Sequence, residues 1–397
     1  MMMSVFSSLF KDKGKKEAAG RLSMSQDILL DILLRLPVKS IIRFRAVHSS
    51  WFSLTSSPEF TLKHLNHARA RSLKHGIVEV RNIHFGNPCL SLCSLKKPVA
   101  EDADHEVIDI QNPFGKVNHK PYIRTEIIGS CNGLLLISVF RYNKGLIREF
   151  ILWNPSTREH EKIRKDRLSD QPFTYIFGFG YDHFNDNYKL VEVSSSLASE
   201  ETSVDVYNLK ERCWERKDSQ FPYKFLWHRP GTTLANGVPH WIVRRRVNNE
   251  KVVISFDLGE EKFKEVPLPA SLNDPVFISN LHGYLCVGSL NSQKIFEWKV
   301  CVMREYGAEE SWIKLNISFP ETAPKMGLLC QFTPLEFTKK DEFIMSLDHK
   351  GIATYCPSKN TYKPVLLSGG PKGWSVATYV ESLVSPKTYN KREDRTH

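Results

Sequence analysis

A unit of about 50 residues recurs through most of this chain, a period that points to a repeat architecture. Each copy is a β-rich run, an Asn- or Asp-containing turn, and a second run ending in an aromatic or apolar residue. The copies begin at Ile151, Val204, Val253, Val300 and Ile352. Aligned on Trp153, Tyr207, Phe256, Met303 and Tyr355, they step by 54, 49, 47 and 52 residues. A second element interleaves with the first. Asn132-Gly133, Asn236-Gly237 and His282-Gly283 each precede an apolar strand, and Asn-Gly favours a tight hairpin because both residues tolerate positive φ. A third hairpin pairs Phe177–Asp182 with Tyr188–Val193. The unit is thus a small antiparallel sheet of about four strands. Such a sheet cannot bury both faces alone, and radial stacking covers them while leaving only short edges.

Residues 76–386 hold 311 positions, room for roughly six such sheets, and the expectation is a β-propeller-like domain of roughly six to seven blades. The competing architecture is a β-sandwich or irregular barrel, for which 300 residues is large. Trp153, Trp214, Trp241 and Trp312 are expected to pack between blades.

The front of the chain has a different period. Between Met24 and Pro37, apolar residues fall at 28, 29, 32, 33 and 36, the stripe of an amphipathic helix. Ser25 suits an N-cap and Asp27 the positive end of the helix dipole. Pro37 ends the helix, since the residue before a proline disfavours the α region. A second helix is expected from near Ser40, a third through Trp51, Phe52 and Leu54. Ser57-Pro58 then reads as a break before a last apolar turn with Phe60, Leu62 and Leu65. Some 45 residues is too few for a comfortable independent core. The surplus of large apolar side chains has to be covered by the rest of the chain or by a partner.

The charge is uneven. The net +11 resolves into 13 Lys+Arg against 5 Asp+Glu in residues 1–75 and 4 against 2 in residues 387–397, leaving 38 against 37 between them. The long central region is nearly neutral and offers no broad phosphate-binding surface, so no nucleic-acid partner is expected. No run reaches the ~20 apolar residues of a membrane helix, which argues against a membrane partner. The basic cluster Lys11–Lys16 follows the weakly apolar start, the reverse of a secretory signal. The eight cysteines are scattered, as reduced thiols in a cytoplasmic or nuclear protein would be. Residues 1–22 and 387–397 are expected to be disordered tails.

Catalytic motifs are weak. Gly129-Ser-Cys-Asn-Gly133 has the outline of a nucleophile elbow, but the strand-forming Leu134–Ile137 follows where a helix is needed. Gly178-Phe-Gly180 lacks the third glycine of a dinucleotide loop. Cys89 and Cys93 with His84 and His105 could be imagined around zinc, without a second tight pair. No cofactor or metal is expected.

Two resemblances cover nearly the whole chain. Asp27 to Leu54, with Leu36-Pro37, Val38-Lys39-Ser40 and Trp51 at a fixed distance, resembles the F-box. In that family the motif is a three-helix hook, here residues 23–67, that docks on a Skp-type adaptor of a cullin–RING ubiquitin ligase. Carried over position by position, the adaptor-facing set is Ile28, Leu29, Ile32, Leu33, Leu36, Pro37, Ile41, Ile42, Val47 and Trp51. Two departures are Met24-Ser25-Gln26 where Leu-Pro is usual, and His48 where cysteine is common.

Residues 68–386 resemble the F-box-associated domain of plant F-box proteins. The motifs are Gly129–Leu135, Leu152–Arg158, Phe177–Asp182 with Asp186–Val191, Met303–Lys314 and Tyr379–Pro386. The set is also similar to pollen S-locus F-box proteins, with motifs common to the wider plant family. The resemblance implies a non-catalytic receptor whose propeller holds an unknown target protein. Its candidate recognition stretches are Asn143–Gly145, Asp166–Gln171, Ser194–Thr202, Gln220–Arg229 and Arg244–Lys251. The alternatives are a propeller-fold hydrolase, which would need convergent carboxylates or a metal set, and a scaffold independent of any ligase.

Overall fold

A computed structural model describes residues 26–70, 75–81, 89–94, 107–109, 122–142, 146–165, 173–196, 201–218, 221–226, 233–272, 274–290, 297–318, 332–337, 342–347, 351–365 and 374–387. Among the described residues four helices come first: α1 (Gln26–Leu34), α2 (Val38–Arg45), α3 (Ser49–Thr55) and α4 (Pro58–Ala70). The three-helix expectation is therefore corrected to four. Ser57-Pro58 starts a helix where a break was expected: Ser57 Oγ accepts from Phe60 N at 3.1 Å, and Pro58 takes the first helical position, where its missing N–H costs nothing. α4 continues through Ala70, past the boundary expected at residue 67.

Among the described residues after α4 the regular elements are strands, apart from one short 3-10 turn at Glu309–Ser311. The first sheet holds β1 (His75–Arg81), β2 (Cys89–Ser94) and β3 (Val107–Asp109). The second holds β4 (Tyr122–Cys131), β5 (Leu134–Tyr142), β6 (Leu146–Trp153) and β7 (His160–Arg164). The third holds β8 (Phe173–Asp182), β9 (Asn187–Ser196), β10 (Thr202–Asn208) and β11 (Cys213–Lys217). The fourth holds β12 (Tyr223–Lys224), β13 (Thr233–Ala235), β14 (Val238–Arg245), β15 (Lys251–Asp257) and β16 (Lys262–Val266). The fifth holds β17 (Phe277–Leu281), β18 (Tyr284–Leu290), β19 (Glu297–Met303) and β20 (Trp312–Ser318). The sixth holds β21 (Phe332–Phe337), β22 (Phe343–Leu347), β23 (Gly351–Cys356) and β24 (Thr361–Val365). The last strand, β25 (Trp374–Val380), returns to pair with β1 along its whole length, from His75↔Val380 to Arg81↔Trp374.

The expectation of six to seven blades is revised accordingly. Among the described residues five blades are each built of consecutive strands, and one further sheet is composite, β25-β1-β2-β3. First strands of successive sheets touch one another, and β21 touches β25, so the ring closes through a strand from the far end of the chain.

The repeat visible in sequence is the third strand, turn and fourth strand of each consecutive blade. Trp153, Tyr207, Phe256, Met303 and Tyr355 all lie on third strands and are all buried. The Asn-Gly and His-Gly pairs turn the first strand into the second, with φ of 55° at Asn132, 49° at Asn236 and 52° at His282. Outer strands β7, β11 and β16 read His-Glu-Lys-Ile-Arg, Cys-Trp-Glu-Arg-Lys and Lys-Phe-Lys-Glu-Val. Charges on these exposed edges discourage pairing with another chain.

The core is a set of apolar layers between neighbouring blades, as the tryptophans show. Trp214 Nε1 donates to Arg164 O at 3.0 Å, Trp241 Nε1 to Phe177 O at 2.8 Å, and Trp312 Nε1 to Pro267 O at 2.9 Å. Each reaches back to the preceding blade. Trp153 packs in one cluster with Tyr379 and Ala377 of β25. Gly178 on β8 owes its place to this layer, since a Cβ there would stand 2.6 Å from the Trp241 ring.

Between the second and third sheets runs a charged network, buried at Arg148, Glu192 and Asp205 and reaching the surface at Arg216. The Arg148 guanidinium lies 3.6 Å from the Tyr175 ring centroid and 3.7 Å from Glu192, whose other neighbour is Lys165 at 3.2 Å. Lys165 and Arg216 also hold Asp205, at 2.8 and 3.0 Å. Burial alone would raise the Asp205 carboxyl, but these two cations outweigh it and hold it below the usual carboxylate range. A depressed folded value contributes stability above the unfolded pKa of about 4, lost as pH falls through the folded value. We expect Asp205→Asn to flatten the loss of stability below about pH 4, as read by urea unfolding across pH. An unchanged slope contradicts that assignment.

Candidate functional site: the helical module and the two faces of the ring

The helical module is built by local chemistry. Leu36-Pro37 closes α1 and opens α2: Pro37 sits at the N-cap with φ −58° and ψ 145°, and its carbonyl accepts from Ser40 N and Ile41 N at 2.9 and 3.1 Å. His48, the departure from the expected cysteine, caps α3, its Nδ1 accepting from Ser50 N at 3.2 Å. Trp51 packs edge-on against Phe44 at 5.3 Å between centroids, and Thr55 Oγ1 donates to Trp51 O at 2.7 Å. Ser25, the expected cap of α1, lies outside the described residues.

The ten expected adaptor-facing residues divide by burial. Leu33, Ile41 and Trp51 are internal, at 1%, 0% and 5% exposure. They hold the helices together and present no surface. Leu29, Ile32, Leu36 and Ile42 are half-buried, and Pro37 is exposed. Ile28 and Val47 stand out at 54% and 55%. Three further apolar residues are exposed that the motif did not single out: Phe52 (54%), Leu54 (37%) and Leu62 (54%). A helical wheel could have found two of them, since Trp51 and Thr55 face inward four residues apart and leave Phe52 and Leu54 on other faces.

The module is seated on one face of the ring. Arg69 Nη2 of α4 donates to Asn132 Oδ1 in the β4–β5 turn, and Asn132 Nδ2 donates to Tyr188 Oη at 2.9 Å. Leu383, beyond β25, joins the helices' own apolar core. First strands run toward this face and second strands away from it. The turns carrying Asn132, Arg158, Asp186, Arg212, Asn236, Glu261, His282 and Asn360, all at positive φ, therefore share it.

The five candidate recognition stretches belong to the opposite face by the same count. They join β5 to β6, β7 to β8, β9 to β10, β11 through β12 toward β13, and β14 to β15. Residues 143–145, 166–171, 197–200, 220 and 227–229 of those stretches lie outside the described residues. The described β14–β15 hairpin carries Val247 at 95% exposure. Its arginines are engaged within the chain: Arg244 Nη1 donates to Asn249 O, Arg245 pairs with Glu250 and Glu265, and Arg246 Nη2 donates to Thr202 Oγ1.

The nucleophile-elbow outline at Gly129–Gly133 is a hairpin around a buried thiol. Cys131 is buried, and burial pushes its thiol up to about 12, far from a thiolate nucleophile. Asn132-Gly133 after it is the hairpin turn. Cys89 and Cys93 lie on β2, while His84 and His105 fall outside the described residues. Among the described residues no cluster of three metal-ligating side chains occurs, and no helix is long and apolar enough to cross a membrane.

Comparison with known proteins agrees with this architecture. Residues 86–386 match the F-box associated beta propeller domain, and residues 22–63 match the F-box domain. The chain belongs to the plant F-box proteins that carry this associated propeller. An F-box/kelch-repeat protein of Arabidopsis thaliana is 28% identical over 94% of this chain and 99% of its own length. The F-box protein CPR1 of the same plant is 27% identical over 91% of this chain and 89% of its own. Among solved structures, TolB from Acinetobacter baumannii aligns over 81% of this chain and 73% of its own, with TM-score 0.43 and 9% identity.

Proposed function

We propose that this protein is the substrate-recognition subunit of an SCF-type ubiquitin ligase. The exposed helical surface docks a Skp-type adaptor, and the opposite face of the ring holds a target protein. The observation that carries the reading is the apolar surface left uncovered at Ile28, Val47, Phe52, Leu54 and Leu62 on a module already seated against its own ring. Side chains of this size so exposed are expected where a partner covers them. The ten-residue adaptor set is accordingly refined: the exposed and half-buried members meet the adaptor, and Leu33, Ile41 and Trp51 support them from within.

The receptor supplies no acid, base or nucleophile in this reading. Its contribution is proximity, holding target lysines near a charged conjugating enzyme. The work is that of a cytoplasmic or nuclear protein, and the five stretches on the far face are its recognition loops, because loops on a rigid scaffold carry binding residues.

The test is reconstitution with a Skp-type adaptor, cullin and RING subunit, using proteins captured by the full chain as candidates. Captured proteins should be ubiquitinated with wild-type protein, and at least tenfold more slowly with a chain whose residues 244–251 are replaced by a Gly-Ser turn. Ubiquitination that is indifferent to the far face contradicts the reading. A turnover screen in which the adaptor-free protein hydrolyses sugar or ester substrates would favour the enzyme alternative.

A further inference from the structure

The run that follows β25, Glu381 to Pro386, ties together the two parts of the molecule. Leu383 is 3% exposed, and it completes the core made by Leu33, Val38, Ile41, Trp51 and Phe60 of the helical module. Ser382 beside it is wholly buried. Asn154 Nδ2, in the turn between β6 and β7, donates to Ser382 O at 3.0 Å and to Val384 O at 2.7 Å. Gly133, at φ +78°, comes so near that a Cβ would stand 2.5 Å from Val380 O and 2.6 Å from Ser382 Cβ. One short strap therefore ends the strand that closes the ring, is clamped by two turns of the second sheet, and fills the middle of the helices.

We propose that Leu383 is a positioning residue for adaptor docking, and that the strap couples ring closure to the state of the helical module. This rests on the docking reading above. A module of some 45 residues is too small to be stable without its full core. A chain whose binding-competent form is only fractionally populated binds with an affinity reduced by that fraction. Loosening the strap therefore weakens adaptor binding without touching the adaptor. By reciprocity, bound adaptor strengthens the pairing of β25 in the ring.

The test is amide hydrogen exchange on the full chain, with and without purified Skp-type adaptor, for wild type, Leu383→Asp and Leu383→Met. In the free protein we expect Leu383→Asp to speed exchange in α1, α2 and α3 at least tenfold and to leave β9 and β10 at wild-type rates. Leu383→Met, which keeps volume and polarity class, should restore slow exchange. Adaptor added to wild type should slow the amides of β25 several-fold, a response that a residue of general stability alone would not produce. The last measurement needs no variant to fold. Wild-type exchange rates in the helices of Leu383→Asp, or adaptor protection that stops at the helices and leaves β25 unchanged, overturn the proposal. Failure of the docking reading looks different: adaptor then protects no part of the wild-type chain, and the proposal falls with it.

Discussion

Replacing Ile28 and Phe52 by aspartate should weaken Skp-type adaptor binding at least 100-fold while leaving the folded protein intact. Both side chains are 54% exposed and belong to different helices, α1 and α3. Burying a large apolar side chain against a partner is worth about 1.5–3 kcal/mol, and a carboxylate placed there also has to be desolvated. A loss of about 2.7 kcal/mol, the equivalent of 100-fold, is thus within what two such positions supply. Stability should move by less than about 0.5 kcal/mol, the usual range for exposed positions. Val247→Asp, on the far face, serves as the control and should leave the affinity unchanged. Calorimetric titration with the adaptor decides it. An affinity within a few fold of wild type for the double variant removes this surface from the interface.

The largest effect on stability is expected from Trp241→Ala. Trp241 is fully buried in the layer between the third and fourth sheets, its Nε1 bonded to Phe177 O across the seam. Gly178 has no side chain beneath the ring, so the alanine variant leaves a void that the facing strand cannot fill from its own Cβ. A buried tryptophan reduced to alanine costs about 3–5 kcal/mol, part transfer and part cavity. The orphaned Phe177 carbonyl adds to the cost unless water reaches it. Denaturant unfolding of the full chain measures this. A loss under about 1 kcal/mol means that the tryptophan is not a principal tie between those blades.

Much of the ring could be read from the chain because its signals are local. The step from Trp153 to Tyr207, Phe256, Met303 and Tyr355 marks third strands, since each sits at the same place in a strand-turn-strand unit. Asn132-Gly133 and Asn236-Gly237 announce hairpins because their own backbone demands positive φ. The four tryptophans pack between blades as expected, three of them with indole hydrogen bonds to the preceding sheet.

What local pattern did not carry was long-range. Nothing in residues 374–380 says that they pair with residues 75–81, three hundred positions earlier, because strand register across a ring is set by closure. Leu383 gives no periodic signal of belonging to a helical core, because it is one residue of an irregular strap. The inward or outward sense of the F-box leucines was equally hidden. A helix with apolar residues at 28, 29, 30, 32, 33, 34 and 36 is greasy on more than one side, and only packing against α4 and Leu383 selects Leu33 as the buried one. α4 was missed for a different reason, since Ser-Pro both ends and starts helices, and the apolar stripe after it is short.

Side-chain oxidation footprinting of the full chain, free and saturated with a Skp-type adaptor, tests the central claim most directly. Protection should concentrate on Ile28, Val47, Phe52 and Leu62, while Val247 on the far face oxidises at the same rate in both states. An adaptor that binds while those four residues remain as reactive as in the free protein would contradict it.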